Sequence, residues 1–186
     1  MVDLGLFESV AVAPLPRAHF DRLIELGELD DQRVELLYGI MVEMPPQGAE
    51  HSDVTALLGG RLLRLLGDHA IVRQHGPLAL GADSEPEPDI AVVPPGQYRR
   101  ALPTAASLIV EVARSSLAKD RGVKAHLYAE SEIPEYWIID LVTESVEVRT
   151  EPQGPAYARV VTVDRAGAIR LQRFPDVQIR ISDLFP

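Results

Sequence analysis

Apolar and polar positions follow several rhythms along the chain, and each change of rhythm marks an element. Residues 16–27 place Phe20, Leu23, Ile24 and Leu26 near one helical face, with Gly27 as a stop, and predict a short amphipathic helix. Residues 34–44, VELLYGIMVEM, form two apolar-rich halves around Tyr38-Gly39 and predict a β-hairpin, which Pro45-Pro46 end. Residues 50–66 predict a longer helix, because Val54, Leu57, Leu58, Leu62, Leu65 and Leu66 recur at helical spacing. Gly59-Gly60 in its middle costs about 1 kcal/mol each relative to alanine, which points to close packing against a sheet. One or two short strands surround Gly76-Pro77, and the acidic loop DSEPEPD (83–89) leads into the buried strand IAVV. SLIVEVA (107–113) and EYWIIDL (135–141) are apolar enough to be central strands covered on both faces. Between them a helix spans 117–130, capped by Ser115 or Ser116. SVEVRT, YARVVTV, AIRLQ and VQIRIS then read as a β-meander that finishes the sheet. The expected fold class is α/β, a mixed sheet with helices on both faces.

Composition narrows the function classes. The chain has 186 residues, 46% of them hydrophobic, which suits one domain with a sizeable core. No run of 18 apolar residues occurs, and MVDLGLFESV lacks a basic leader, so neither a membrane span nor a signal peptide is expected and the location is expected to be cytoplasmic. With no cysteine there is no disulfide, zinc thiolate site or cysteine nucleophile. A net charge of −10 argues against a protein that grips nucleic acid by charge alone, but not against an enzyme with a locally basic site. Residues 114–124 supply such a stretch, with Arg114, Lys119, Arg121 and Lys124 against Asp120. Only two of the eighteen cationic residues are lysines, Lys119 and Lys124. In a chain that otherwise uses arginine, a retained lysine points to a need for its compact ammonium group.

The candidate chemistry lies on and around the central strands. Asp89 ends the acidic loop at the start of a strand; its ordinary reading is a solvated loop acid, its functional one a metal ligand. Glu111 sits among Ile109, Val110 and Val112, where an ionised carboxylate is costly unless paired or bound to a cation. Asp120, Lys124 and Tyr128 are spaced by four, so one helix stripe can lean over Glu111; otherwise Lys124 pairs with Asp120 on an exposed face. His51, at a helix start, is either structural or a partner of the site; Glu35 and Glu43 are weak candidates singly, and Trp137 is core. Two acids and a lysine on adjacent elements can bind a divalent metal and position a water for phosphodiester hydrolysis.

Taken in order, ELLYGIMVEMPP, His51, Pro88-Asp89, Glu111-Val112 with Ser115-Ser116, Asp120-x-x-x-Lys124-x-x-x-Tyr128 and IPEYWIID resemble the Uma-two family, a group of restriction-endonuclease-like proteins in the PD-(D/E)xK nuclease superfamily. The resemblance covers residues 33–141 well, and VQIRISDLF resembles the family's ending. It implies one restriction-endonuclease-like domain, with a nuclease core at about 33–141 and a C-terminal β extension at about 142–186. It also implies a metal-dependent DNA endonuclease. Asp89 matches the aspartate of the PD element and Glu111 the second acid. The superfamily's lysine normally lies two residues after that acid, where this chain has Ala113; Lys124 on the following helix is the matching residue. His51 and Glu35 match polar positions near the implied site. Mg²⁺, with Mn²⁺ as a substitute, is expected between Asp89, Glu111 and the backbone carbonyl of Val112. The expected partners are DNA and, from the symmetry of a duplex substrate, a second copy in a homodimer. Two other readings stay open: a non-enzymatic interaction module on the same fold, and a metal-dependent hydrolase of a small phosphate compound.

Overall fold

A computed structural model describes residues 13–185; the segment MVDLGLFESV lies outside them. Helix α1 (Arg17–Glu25) precedes the hairpin of β1 (Val34–Leu37) and β2 (Ile40–Glu43). Helix α2 (Ala49–Leu66) leads to β3 (Ile71–Gln74), β4 (Ile90–Val93) and β5 (Leu108–Ala113). A crossover of α3 (Leu117–Lys119), a wide π-type turn (Asp120–Lys124) and α4 (Ala125–Glu130) connects to β6 (Glu135–Asp140). Strands β7 (Ser145–Gln153) and β8 (Ala156–Val163), then β9 (Ala168–Arg170) and β10 (Gln178–Arg180), follow.

The central sheet has six strands in the order β3-β4-β5-β6-β7-β8. Only β5 and β6 run parallel, because the helical crossover returns the chain to the same end of the sheet before β6 begins. Strand alternation sorts β5 and β6 between two cores. Val110, Val112, Trp137 and Ile139 face Val54, Leu58, Leu62 and Leu66 of α2. Ile109, Ala113, Tyr136 and Ile138 face Leu127 and Tyr128 of α4, and Leu37 of the hairpin. By the same alternation Glu111 points to the α4 side, into an otherwise apolar layer.

The hairpin turn explains its sequence. Tyr38 and Gly39 have φ of +51° and +73°, the pair of left-handed residues that a two-residue turn needs to match strand twist. Glycine is also required at position 39 by contact, since a Cβ there would lie 2.3 Å from Pro14 Cβ. An antiparallel bridge between Leu36 and Glu85 fastens β1 to the acidic loop. That bridge brings Glu35 beside the strands that carry Asp89 and Glu111.

Several expectations need correction. Strands β9 and β10 form a separate two-stranded sheet rather than extending the meander. Their Ile169 and Ile179 pack on the α2 side of the core, so burial and not ladder pairing fixes their position. The helix expected over 117–130 is interrupted. Gly122, at φ −94° and ψ −106°, leaves the helical region, and neither serine makes a side-chain cap. On α1 only Phe20 is buried, while Ile24 and Leu26 are exposed. Of the glycine pair in α2, Gly59 packs against the Gln74 side chain, whereas Gly60 meets only Arg64. No helix among the described residues is long and apolar enough to cross a membrane.

Candidate active site

The loop before β4 holds Asp89 with its carboxylate against β5. Asp89 Oδ2 accepts the Val112 N–H at 2.7 Å, and His51 Nε2 lies 3.1 Å from the same oxygen. Asp89 Oδ1 accepts from Gln47 Nε2 at 3.2 Å, with His75 Nδ1 at 3.6 Å. The backbone takes part as well, since the His75 N–H donates to the Asp89 carbonyl at 3.1 Å. Asp89 is therefore buried and bonded, not the solvated loop acid of its ordinary reading.

Glu111 Oε1 accepts two hydrogen bonds, from Lys124 Nζ and from the Tyr128 hydroxyl, each at 2.8 Å. Lys124 is 2% exposed and also lies 3.0 Å from Glu35 Oε2. Glu35 Oε1 accepts from Lys119 Nζ at 2.8 Å, and Glu35 Oε2 from the Glu87 N–H at 3.2 Å. Both lysines of the chain thus end on one buried carboxylate. Lys124 does not form the exposed pair with Asp120. Asp120 is itself buried and accepts from Ser116 Oγ at 2.6 Å. The wide turn keeps Asp120 and Lys124 both pointing inward, although it breaks the regular stripe.

Electrostatics follow from burial. Burial pushes the Glu111 carboxyl up to about 8; the Lys124 ammonium pulls it down, and Asp89, Asp120 and Glu35 push with burial. Burial alone would lower Lys124, but Glu111 and Glu35 outweigh it and raise its pKa. Glu35 is the reverse case: burial acts to raise it, and Lys124 and Lys119 together hold it below the ordinary carboxylate value. Burial also raises Asp120, against the Ser116 bond and the two lysines.

These groups share a cleft of about 310 Å³ lined by Gln47, His51, Asp89, Glu111, Lys119 and Lys124, among others. Five carboxyl groups line it, on Glu50, Glu87, Asp89, Glu111 and Asp120, against the cations Arg33, Arg114, Lys119 and Lys124, and Glu35 pairs with both lysines. Hard carboxylate oxygens suit a divalent cation such as Mg²⁺. Among the described residues no group of three or more His, Asp or Glu side chains is set to hold a metal. A cation between Asp89 and Glu111 would take the rest of its shell from backbone and water. Val112 N–H is committed to Asp89. Because N–H and C=O of one strand residue point the same way, its carbonyl lies on the same side, past the end of β4.

The structure brings together Asp89, Glu111, Lys124, His51, Glu35 and Val112. Glu43 stays exposed on β2 and Trp137 is fully buried. Gln47 and His75 were not singled out from the sequence, and no local pattern marks them. Lys119 was flagged by lysine scarcity and by its place in the basic stretch 114–124.

A family model described as "putative restriction endonuclease" matches residues 17–182. The chain belongs to the Uma2 family. A solved structure of a putative nuclease belonging to DUF820, from Anabaena variabilis ATCC 29413, superposes with a TM-score of 0.69 at 18% identity. The match covers 82% of this Uma2 chain and 89% of that one, and it shows the shared fold. Among curated proteins no sequence match is found.

Proposed function

We propose that this Uma2 chain is a Mg²⁺-dependent endonuclease acting on DNA. The observation that carries the proposal is the convergence of Asp89, Glu111 and Lys124 from three elements on one cleft. Family membership and the nuclease fold support the same reading.

Asp89 and Glu111 would hold the cation, with Mn²⁺ as a substitute and the Val112 carbonyl as a backbone ligand. When bound, the cation supplies charge neutralisation at the phosphate and acidifies water. The remaining work falls to the chain. Lys124 Nζ has three N–H groups, and Glu111 and Glu35 occupy two. The third can stabilise charge on the phosphoryl oxygens or orient the attacking water. Glu35, held ionised between two lysines, fixes where that ammonium sits. With Nε2 donating to Asp89, the tautomer assigned from geometry leaves His51 Nδ1 as an acceptor. That nitrogen is buried and has no hydrogen-bond partner among the described residues, so it is suited to receive a proton. A homodimer would place two such clefts on the two strands of a duplex.

The test is nicking of supercoiled plasmid and of single-stranded DNA with Mg²⁺ or Mn²⁺. Asp89→Ala, Glu111→Ala and Lys124→Ala should each lose roughly 100-fold or more while keeping the fold. Full activity in any two of them overturns the assignment. Absence of both cleavage and metal binding in the parent chain favours an interaction module instead. Metal binding without cleavage of any nucleic acid favours a small phosphate substrate.

A further inference from the structure

A second depression adjoins the cleft. It has a volume of about 330 Å³, lies between α1 and the start of β1, and shares Arg33, Met44 and Glu87 with the cleft. Its walls set apolar Phe20, Ile24, Leu29 and Pro77 beside polar Asp30 and Gln32. Ile24 is 45% exposed, so the sequence places an apolar side chain in solvent at the edge of a hollow of mixed lining. Glu85 also lines it. That residue is 4% exposed, its Oε2 has no hydrogen-bond partner among the described residues, and the nearest cation is Arg17 Nη1 at 3.9 Å. Arg33 stands at the junction of the two spaces and makes no ion pair among the described residues.

We infer that this depression seats a nucleobase unstacked from the strand whose phosphodiester lies in the cleft, with Arg33 on an adjoining phosphate. The inference rests on the nuclease reading of the cleft and extends it to the form of the substrate. A flat aromatic ring gains contact with Phe20, Ile24 and Met44 while its polar edge meets a buried carboxyl, the mixture typical of ligand sites of ~300–1,000 Å³. Burial, reinforced by a hydrogen bond with Asp21, pushes Glu85 up to about 8 against the pull of Arg17. At neutral pH its proton is held toward Asp21, and the unpartnered Oε2 offers a base N–H one acceptor without a full negative charge. Unstacking a base costs least when the strand is single or already opened. The chain should accordingly prefer single-stranded or locally melted DNA over intact duplex.

The test is fluorescence anisotropy in EDTA with a short single strand, a set of the same strand made abasic at one position at a time, and the duplex. One abasic position should weaken binding by about 10-fold, the duplex should bind more weakly than the single strand, and Ile24→Asp should erase the abasic difference. Arg33→Ala should weaken intact and abasic strands alike and reduce the slope of log K against log salt by ~1. Because Ile24 is exposed, the variant should melt like the parent chain, which circular dichroism checks. Equal binding of every abasic strand, or a difference that survives in Ile24→Asp, overturns the base pocket. If DNA is cut without base discrimination, only this inference fails. If no nucleic acid is bound or cut, the nuclease reading fails with it.

Discussion

Two carboxyl groups with raised pKa values make different predictions. Glu85 carries its shift outside the cleft. Its folded pKa of about 8 exceeds its ordinary value, so folding favours the protonated form. That stability is fully present below the ordinary pKa and is lost as pH rises through about 8. Glu85→Gln keeps the shape and an N–H donor without the charge. Its melting temperature should match the parent below about pH 5 and exceed it by at least ~2 °C above about pH 8. Glu111 instead has two donors on one oxygen. Tyr128→Phe removes one neutral bond, a loss of about 1 kcal/mol, and should reduce nicking less than tenfold. Lys124→Ala leaves Glu111 and Glu35 without their shared cation, and should cost about 3–5 kcal/mol in addition to its effect on nicking. Thermal melts and initial rates on the two variants separate these cases.

Elements set by strong periodicity were legible from the sequence. Helix α2, the hairpin and the two central strands lie within a few residues of where their patterns place them. The acid in SLIVEVA was legible for a physical reason, since a carboxylate in an apolar strand needs a partner. The break at Gly122 was not, because apolar spacing continues across it from Leu117 to Leu127. Nor was the separate β9–β10 sheet, whose alternation suits either ladder. Gln47 and His75 reach Asp89 through tertiary contact alone, which no local spacing encodes. The hairpin turn gives this scale its prediction. Gly39→Ala must adopt a left-handed φ and press its methyl into Pro14. A loss exceeding about 1 kcal/mol is expected in denaturant melts, together with reduced nicking, because Glu35 rides on the same hairpin.

At the scale of the whole molecule, a chain of net charge −10 approaches a polyanion at a disadvantage. Among the described residues most cations near the cleft are already committed: Arg114 to Glu50, Lys119 to Glu35, and Arg121 to Glu147. A divalent cation between Asp89 and Glu111 would therefore act on stability as well as on chemistry, by supplying positive charge that those committed cations do not. Mg²⁺ at 100 times its dissociation constant should stabilise the fold by about 2.7 kcal/mol. Differential scanning fluorimetry should show this as a rise in melting temperature that Asp89→Asn abolishes; an equal rise in both chains would place the cation elsewhere.

Asp89 and Glu111 sit on or beside the sheet, whereas the buried Lys124 hangs from a crossover interrupted at Gly122. On the proposed reading, affinity for the cation and speed of the reaction would thus be inherited through different stretches of chain. A lineage could then alter residues 117–130 and retune its rate while the strands beside Asp89 and Glu111 stay as they are. A lysine two residues after the acid on the strand itself would tie the two traits together.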